Sequence, residues 1–287
     1  MKKLKLIFLL VIELLIVWSV TAQNDSLSLV SAKWETEEIA EGIVWKHFLF
    51  KGNLFNSNQS INILEIRKNK RKTFSIGYEP KELKLTSQFG KESNALAALN
   101  GTFFDTRAGG SVDLIRANGK IINSNQTKDG KRAPHQKSSV AISKGRLKIE
   151  KWNGDMNWEE GLKADELMVS GPLLVYNNKS ESLDSLAFNI TRHPRTAVAV
   201  TTSGKILLIT VDGRNENAAG MSLFELRNIL KWFDSEDAIN LDGGGSSTLW
   251  ISGQPDGGVV NYPCDNKKWD HEGERKVANV ILVRKKN

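Results

Sequence analysis

Apolar positions in this chain fall into short runs separated by Gly, Asn, Asp and Lys, the pattern of strands joined by tight turns. Residues 42–50, 60–67 and 74–76 have strand composition. Residues 113–116 and 121–123 flank an Asn-Gly turn as a short hairpin. Residues 139–142 and 147–149 form a clearer one around Lys144-Gly145. The apolar run 168–175 is broken by Ser170-Gly171-Pro172, which predicts a bend or bulge. Residues 196–200 and 206–211 pair across a Ser203-Gly204 turn. The second of these is almost wholly apolar and reads as a buried strand. Residues 276–283 supply a last strand.

Helical spacing is rarer. Residues 86–98 read as one helix, with Phe89, Ala95, Leu96 and Leu99 as its apolar positions. Ser222 and Glu225 form a capping box. Leu223, Leu226, Leu230 and Phe233 line one face of the helix that follows, which residues 234–237 close. Hairpins interspersed with a few helices predict an α+β fold: a mixed, largely antiparallel sheet with a few packed helices in a single domain. Residues 23–90 supply the N-terminal strands and lead-in, and residues 91–287 the catalytic region.

The stretch that organises the rest is residues 238–250. Ile239-Asn240-Leu241-Asp242 reads as a strand with Asn240 and Asp242 on one face. Gly243, Gly244 and Gly245 then remove every side chain from its exit, and Ser246 and Ser247 follow. Glycines are costly inside a sheet and make sense where backbone must approach something closely. The N–H groups of Gly244, Gly245 and Ser246 are candidates for an anion nest. The lysine and following helix of a nucleotide phosphate loop are missing.

The N-terminus changes the compartment. Lys2, Lys3 and Lys5 precede an apolar run over residues 6–20, interrupted only by Glu13 and Ser19. Val20 and Ala22 stand at peptidase spacing, so residues 1–22 read as a signal peptide cleaved before Gln23. The expectation is an exported protein of the periplasm or extracellular space, with no stable membrane insertion after cleavage. The single cysteine, Cys264, allows no intrachain disulfide. The net charge of +7 suits anionic partners. No dense basic stripe with interleaved aromatics marks a nucleic-acid binder.

Other motifs sit at strand ends. Asn100-Gly101 closes a small-residue strand and is followed by Phe103 and Phe104, an amide, a close-approach glycine and rings for a sugar face. Arg195 begins one apolar strand and Arg214 follows another, so both are candidates for bidentate phosphate contacts. The polar segment 124–138, which contains His135, reads as a mobile surface loop of the kind that carries substrate contacts.

Taken in order, Asn100-Gly101-Thr102-Phe103-Phe104, Ser170-Gly171-Pro172, Pro194-Arg195-Thr196, Val211-Asp212-Gly213-Arg214, Asn240-Leu241-Asp242-Gly243-Gly244-Gly245-Ser246-Ser247-Thr248 and Glu274-Arg275-Lys276-Val277-Ala278-Asn279 resemble the phosphodiester glycosidase domain family over roughly residues 90–285. The resemblance implies hydrolysis of a sugar-1-phosphate diester in an envelope or extracellular glycan. The substrate would then be a carbohydrate or glycosyl phosphate.

Asp242 is expected as base or nucleophile, with Asp212 as its partner or as a carboxylate that merely orients an arginine. Arg195, Arg214, Asn100, Gly101, Phe104, Asn240, Gly243, Gly244, Gly245 and Ser246 are expected to bind substrate, the two asparagines either on sugar hydroxyls or by holding the carboxylates. No cofactor is expected. Two alternatives stay open: a divalent ion gathered by Asp105, Asp212 and Asp242 for P–O cleavage, and a non-catalytic glycan-binding protein.

Overall fold

The computed structural model describes residues 24–67 and 71–286; the expected signal peptide lies outside the described residues. In chain order the strands are β1 (Glu35–Ala40), β2 (Ile43–Leu54), β3 (Ser57–Ile66), β4 (Lys72–Tyr78), β5 (Ala97–Asn100), β6 (Ile115–Ala117), β7 (Lys120–Asn123), β8 (Ser138–Ser143), β9 (Arg146–Lys151), β10 (Glu166–Ser170), β11 (Leu173–Tyr176), β12 (Lys179–Ser180), β13 (Arg195–Thr201), β14 (Ile206–Val211), β15 (Ser235–Asn240), β16 (Leu249–Ile251) and β17 (Asn279–Lys285). The helices are α1 (24–30), α2 (Thr86–Glu92), α3 (Trp158–Gly161), α4 (Ala187–Ile190) and α5 (Leu223–Trp232).

The α+β class and largely antiparallel pairing hold, but the strands divide among three sheets. Eight strands run in the order β1-β2-β3-β14-β13-β15-β11-β12, five in the order β7-β6-β10-β8-β9 and four in the order β16-β5-β17-β4. The inner faces of all three meet in one core, with Leu64, Val198, Leu208 and Ile239 from the first sheet, Ile115, Val140 and Met168 from the second, and Leu99, Leu249 and Ile281 from the third. Helix α5 covers the other face of the eight-stranded sheet through Leu223, Leu226, Ile229 and Leu230. Each such side chain contributes about 1.5–3 kcal/mol by leaving water. The capping box starts this helix as its sequence requires: Ser222 Oγ accepts from Glu225 N–H at 3.2 Å, and Glu225 accepts from Ser222 N–H at 2.8 Å.

Three boundaries differ from the sequence reading. Helix α2 ends at Glu92, not at residue 98, because Asn94 turns the chain in the left-handed region (φ 48°) and the residues from Ala97 enter β5. Asp234 (φ 54°) likewise ends α5, so β15 begins at Ser235. Ser170-Gly171-Pro172 is more than a bulge: β10 before it lies in the five-stranded sheet and β11 after it in the eight-stranded one. The Gly171–Pro172 bond there is cis.

Register places one end of the eight-stranded sheet in charge of the chemistry. Arg195, which opens β13, pairs with Val211, which closes β14, and Val211 pairs with Ile61 near the start of β3. β15 runs antiparallel to β13 and leaves the sheet at this same end.

Candidate active site

The exit of β15 is strapped to its neighbours by main-chain bonds. Leu241 N–H donates to Thr196 O at 2.9 Å, Asp242 N–H to Gly101 O at 3.0 Å and Gly244 N–H to Pro194 O at 2.8 Å. Asn100, fully buried, donates from Nδ2 to Asp242 O at 2.7 Å. Its Oδ1 accepts from Thr196 Oγ1 at 2.8 Å and Thr248 N–H at 3.0 Å. Asn240 is also fully buried and donates to Gly171 O at 2.9 Å and Leu241 O at 2.7 Å. Both amides hold the backbone around the carboxylate, so their donors are already used.

Asp242 stands at the centre. Its carboxylate accepts from Gly243 N–H at 3.0 Å and the residue keeps partial exposure. Burial pushes its pKa from the ordinary 3.8 to about 6. The Ser246 hydroxyl, the Gly243 N–H and the charge of Arg275 pull it down, and the Asp113 carboxylate pushes it further up. Ser246 Oγ is enclosed and has no hydrogen bond of normal geometry.

The glycines admit arginines. Gly244 (φ 63°) lies under the Arg214 guanidinium, whose Nη2 is 3.1 Å from where a Cβ would stand. A Cβ on Gly245 would collide with Arg275 and Asp265. Arg275 is paired with Asp265 through Nη2 at 2.5 Å and Nε at 3.0 Å, which raises its pKa. Arg214 is exposed, with Nη2 3.5 Å from His193 Nδ1 and no carboxylate in ion-pair range among the described residues. Burial, then Arg195 and Arg214, lowers the His193 pKa.

Several expected residues lie elsewhere or do other work. Asp212 is fully buried, and its two oxygens accept from Ser60 Oγ at 2.6 Å, Asn261 Nδ2 at 2.9 Å and Tyr262 N–H at 2.9 Å. Burial pushes its pKa up despite these donors. Its oxygens are thus committed to interior donors.

Arg195 is 1% exposed and donates to Met221 O at 2.8 Å, Phe188 O at 2.7 Å and Thr191 O at 2.9 Å. Burial lowers its pKa to about 10. It binds carbonyls around α4 instead of presenting a fork to phosphate. The anion nest is largely closed, since Gly244 N–H serves Pro194 O and Ser246 N–H serves Gly243 O at 3.2 Å. Gly101 makes room for Asn279, whose side chain a Cβ there would overlap, and Gly243 for the Pro194 carbonyl. Phe104 packs against the core behind α2 and borders a cleft of about 550 Å³ shared with Leu83, Thr106, Arg275 and Lys276.

The structure adds residues that the sequence reading missed. Asp113 is fully buried, 3.4 Å from His135 Nε2, and accepts from Gln136 Nε2 at 3.0 Å and Thr102 Oγ1 at 3.3 Å. Of the two rings named from the sequence, that of Phe103 lies 5.0 Å from that of His135 and 6.1 Å from that of Phe188. The segment carrying His135 is tied down by Arg132, which is paired with Glu159 at 2.6 Å with both side chains 4% exposed. The sequence signs of this cluster were Phe103 and the polar segment 124–138. Asp105 caps its own turn through Arg107 and Ala108 N–H, and among the described residues no three His, Cys, Asp or Glu side chains are placed to hold a metal ion.

The model of the phosphodiester glycosidase family matches residues 93–284, which include every residue of this cluster. The chain belongs to the phosphodiester glycosidase family. In this family member, strands β1 to β4 lie outside the matched segment yet complete two of its sheets. The mouse N-acetylglucosamine-1-phosphodiester alpha-N-acetylglucosaminidase is 29% identical over 138 residues, 47% of this chain and 23% of the mouse protein. The chain therefore aligns to about a quarter of that relative's length. The bovine enzyme of the same name is 37% identical over 92 residues, 31% of this chain and 16% of its own. The zebrafish catalytic domain of that enzyme, solved auto-inhibited by its pro-peptide, shares the fold with a TM-score of 0.65 at 23% identity, over 89% of each chain.

Proposed function

We propose that this end of the eight-stranded sheet hydrolyses the glycosidic bond of a sugar-1-phosphate diester. The observation that carries the reading is that Asp242, a carboxylate poised near pH 6, opens the glycine run on which Arg214 lies, over Gly244, as a guanidinium without an ion-paired carboxylate among the described residues. A catalytic base works best when its pKa lies near the working pH. An exposed arginine with no ion-paired carboxylate suits a phosphate dianion or diester.

Asp242 takes a proton from water, the water oxygen bonds to the anomeric carbon, and the C1–O bond breaks. Its electron pair leaves with the phosphate monoester. Arg214 and Arg275 balance the charge that develops on the phosphate oxygens, so a weak proton donor is sufficient on that side. His135, held by Asp113, stands on the Phe103 wall of the same site and can supply that proton. The apolar ring of Phe103 suits the face of a sugar.

Family membership and the names of the mammalian relatives make N-acetylglucosamine-1-phosphate esters the first substrates to try. The N-terminal sequence supports export, and an envelope or extracellular glycan as the natural substrate. Hydrolysis in ¹⁸O-labelled water tests the reading: label in the released sugar is the expected result. Label in the phosphate would mean P–O cleavage and would overturn it.

A further inference from the structure

The core shared by the three sheets opens at the end opposite the candidate active site. There Ile66 of β3 pairs with Ile206 of β14, and Ile206 with Val200 of β13. These are the far ends of the strands that carry Arg195 and Val211 at the other end. β4 of the four-stranded sheet and the β8–β9 hairpin of the five-stranded sheet close the remaining sides, and Phe74 N–H donates to Gly145 O at 3.0 Å where they meet. The three sheets leave a cavity of about 300 Å³, at the small end of the range for small-molecule sites. Its floor is apolar. Phe74 and Ile206 are 7% exposed and Leu147 6%, whereas Leu64 and Leu208, two residues further in along β3 and β14, are fully enclosed.

The rim is cationic. Arg67, Lys72, Arg146 and Lys148 line the cavity, and none of them has a carboxylate in ion-pair range among the described residues. Glu236 is the one carboxylate on the wall among those residues, so the lining carries a surplus of three positive charges. The neighbouring acids are committed elsewhere. Glu41 pairs with Arg71 at 2.7 Å, Glu38 accepts from Gly42 N–H at 3.2 Å, and Glu65 is held by Lys46 and Lys205 at 2.8 Å each. Lys72 shows the imbalance most directly. Its Nζ is enclosed beside Gly42, 3.2 Å from where a Cβ would stand, with no hydrogen-bond partner. Burial lowers its pKa, against the pull of Glu41 and Glu38 and with the push of Arg67. An enclosed ammonium without an acceptor is a costly arrangement, and its flexible stem lets it turn toward an anion held at the rim.

We propose that this cavity binds an amphipathic anion, a phosphate monoester on a short alkyl chain, with the chain on the apolar floor and the phosphate at the cationic rim. A neutral apolar ligand would leave the surplus charge unanswered, and a bare anion would leave the floor wet. A phosphate monoester carries about two negative charges, which suits that surplus better than a carboxylate. Guanidinium and ammonium groups both bind phosphate through charge-assisted hydrogen bonds. The cavity and Asp242 stand at opposite ends of the eight-stranded sheet, so binding here is independent of the proposed glycosidase activity.

Titration calorimetry of the purified protein with monomeric octyl phosphate, inorganic phosphate and octyl glucoside tests this. Octyl phosphate should bind at least about tenfold more tightly than inorganic phosphate, through burial of its chain. Octyl glucoside should not displace it. Arg146→Gln/Lys148→Gln, two exposed changes on an edge strand, should weaken octyl phosphate about tenfold at an unchanged melting temperature. Lys72→Gln should weaken it as well, and Arg214→Ala should not. Absence of octyl phosphate binding overturns the proposal. So does equal affinity for inorganic phosphate, displacement by octyl glucoside, or full affinity in both rim variants. Uptake of the phosphate only from phosphatidic acid vesicles would mean a membrane surface in place of a cavity, and overturns it too. Binding lost in Arg214→Ala would belong to the candidate active site, with the same consequence. If octyl phosphate binding survives Arg214→Ala while no sugar-1-phosphate diester is hydrolysed, the glycosidase reading fails and this site stands.

Discussion

Asn100 and Asp242 lie 142 positions apart, and one buried amide joins them: Asn100 Nδ2 donates to the Asp242 carbonyl at 2.7 Å. The next residue, Gly101, accepts the Asp242 N–H at 3.0 Å. The main chain of the central carboxylate is therefore fixed on both sides by Asn100-Gly101. The same amide oxygen reaches Thr196 and Thr248, so it also ties β13 to the far side of the glycine run. Asn100→Ala leaves a buried carbonyl and a buried N–H without partners, at about 1–3 kcal/mol for each group. Thermal denaturation should show that loss. In protein that remains folded kcat should fall about tenfold or more, because Asp242 is no longer held in position. Full activity in a destabilised Asn100→Ala would remove the positioning role.

Asp242→Asn keeps shape and loses the base. The expected result is a fall in kcat of about two to four orders of magnitude with substrate binding retained. Hydrolysis of an N-acetylglucosamine-1-phosphate ester, with calorimetry for binding, measures both. Turnover at the wild-type rate would take Asp242 out of the mechanism.

Asp242 also sets a pH dependence. With its folded pKa raised from 3.8 to about 6, the carboxylate is protonated below that value, so kcat/KM should rise with pH through about 6. The stability effect has the opposite sense. A group that binds its proton more tightly when folded contributes stability that is complete below about pH 4 and is lost as pH rises through about 6. Asn cannot ionise, so Asp242→Asn should be more stable than wild type at pH 8, by about 1–3 kcal/mol. The gap should close at pH 4. Melting temperatures of the two proteins across that range check it, and parallel curves would show that Asp242 is not held in the strained, ionised state.

Much of this arrangement was legible in the sequence, and its omissions have physical causes. The hairpins around Lys144-Gly145 and Ser203-Gly204 were readable because alternation and turn residues are local signals. So was the strand exit at Asp242, where glycines interrupt an apolar run. The division into three sheets was not, because it depends on which strand meets which across the chain, as at Ser170-Gly171-Pro172. Asp212 and Arg195 looked like site residues since both stand at strand ends beside polar loops. Their roles were decided by tertiary partners that no local pattern shows: Ser60 and Asn261 for one, the carbonyls of Met221 and Phe188 for the other. Asp113 was hidden for the same reason. It becomes a site residue only when segment 124–138 folds back and puts His135 and Gln136 on it.

That reassignment of Asp212 gives a prediction opposite in kind to the one for Asp242. Asp212→Ala strands the donors of Ser60, Asn261 and Tyr262 in a dry interior, each costing about 1–3 kcal/mol. The variant should lose several degrees of melting temperature or fail to fold. The fraction that folds should keep kcat within about threefold of wild type, since a carboxylate whose oxygens are committed to interior donors changes stability more than rate. A stable Asp212→Ala with kcat reduced a hundredfold would restore it to the catalytic pair.

Arg214 separates binding from stability in the other direction. It is exposed, adopts a left-handed backbone (φ 61°) and has no carboxylate within ion-pair range among the described residues, so the fold gains little from its charge. Its guanidinium rests over Gly244 beside the exit of β15, where a phosphate would meet it. Arg214→Ala should leave the melting temperature within about 2 °C of wild type, as expected for an exposed side chain. It should raise KM for a sugar-1-phosphate diester about tenfold or more through loss of a charge-assisted contact. Arg214→Lys should recover only part of the affinity, because an ammonium cannot reproduce the bidentate fork. The glycine run gives a second handle. Gly244→Ala would add a Cβ 3.1 Å from the guanidinium and strain a backbone at φ 63°. It should thus raise KM and lower stability together, whereas Arg214→Ala raises KM alone. If Arg214→Ala binds and turns over the diester as wild type does, the phosphate is held elsewhere, and Arg275 becomes the residue to test.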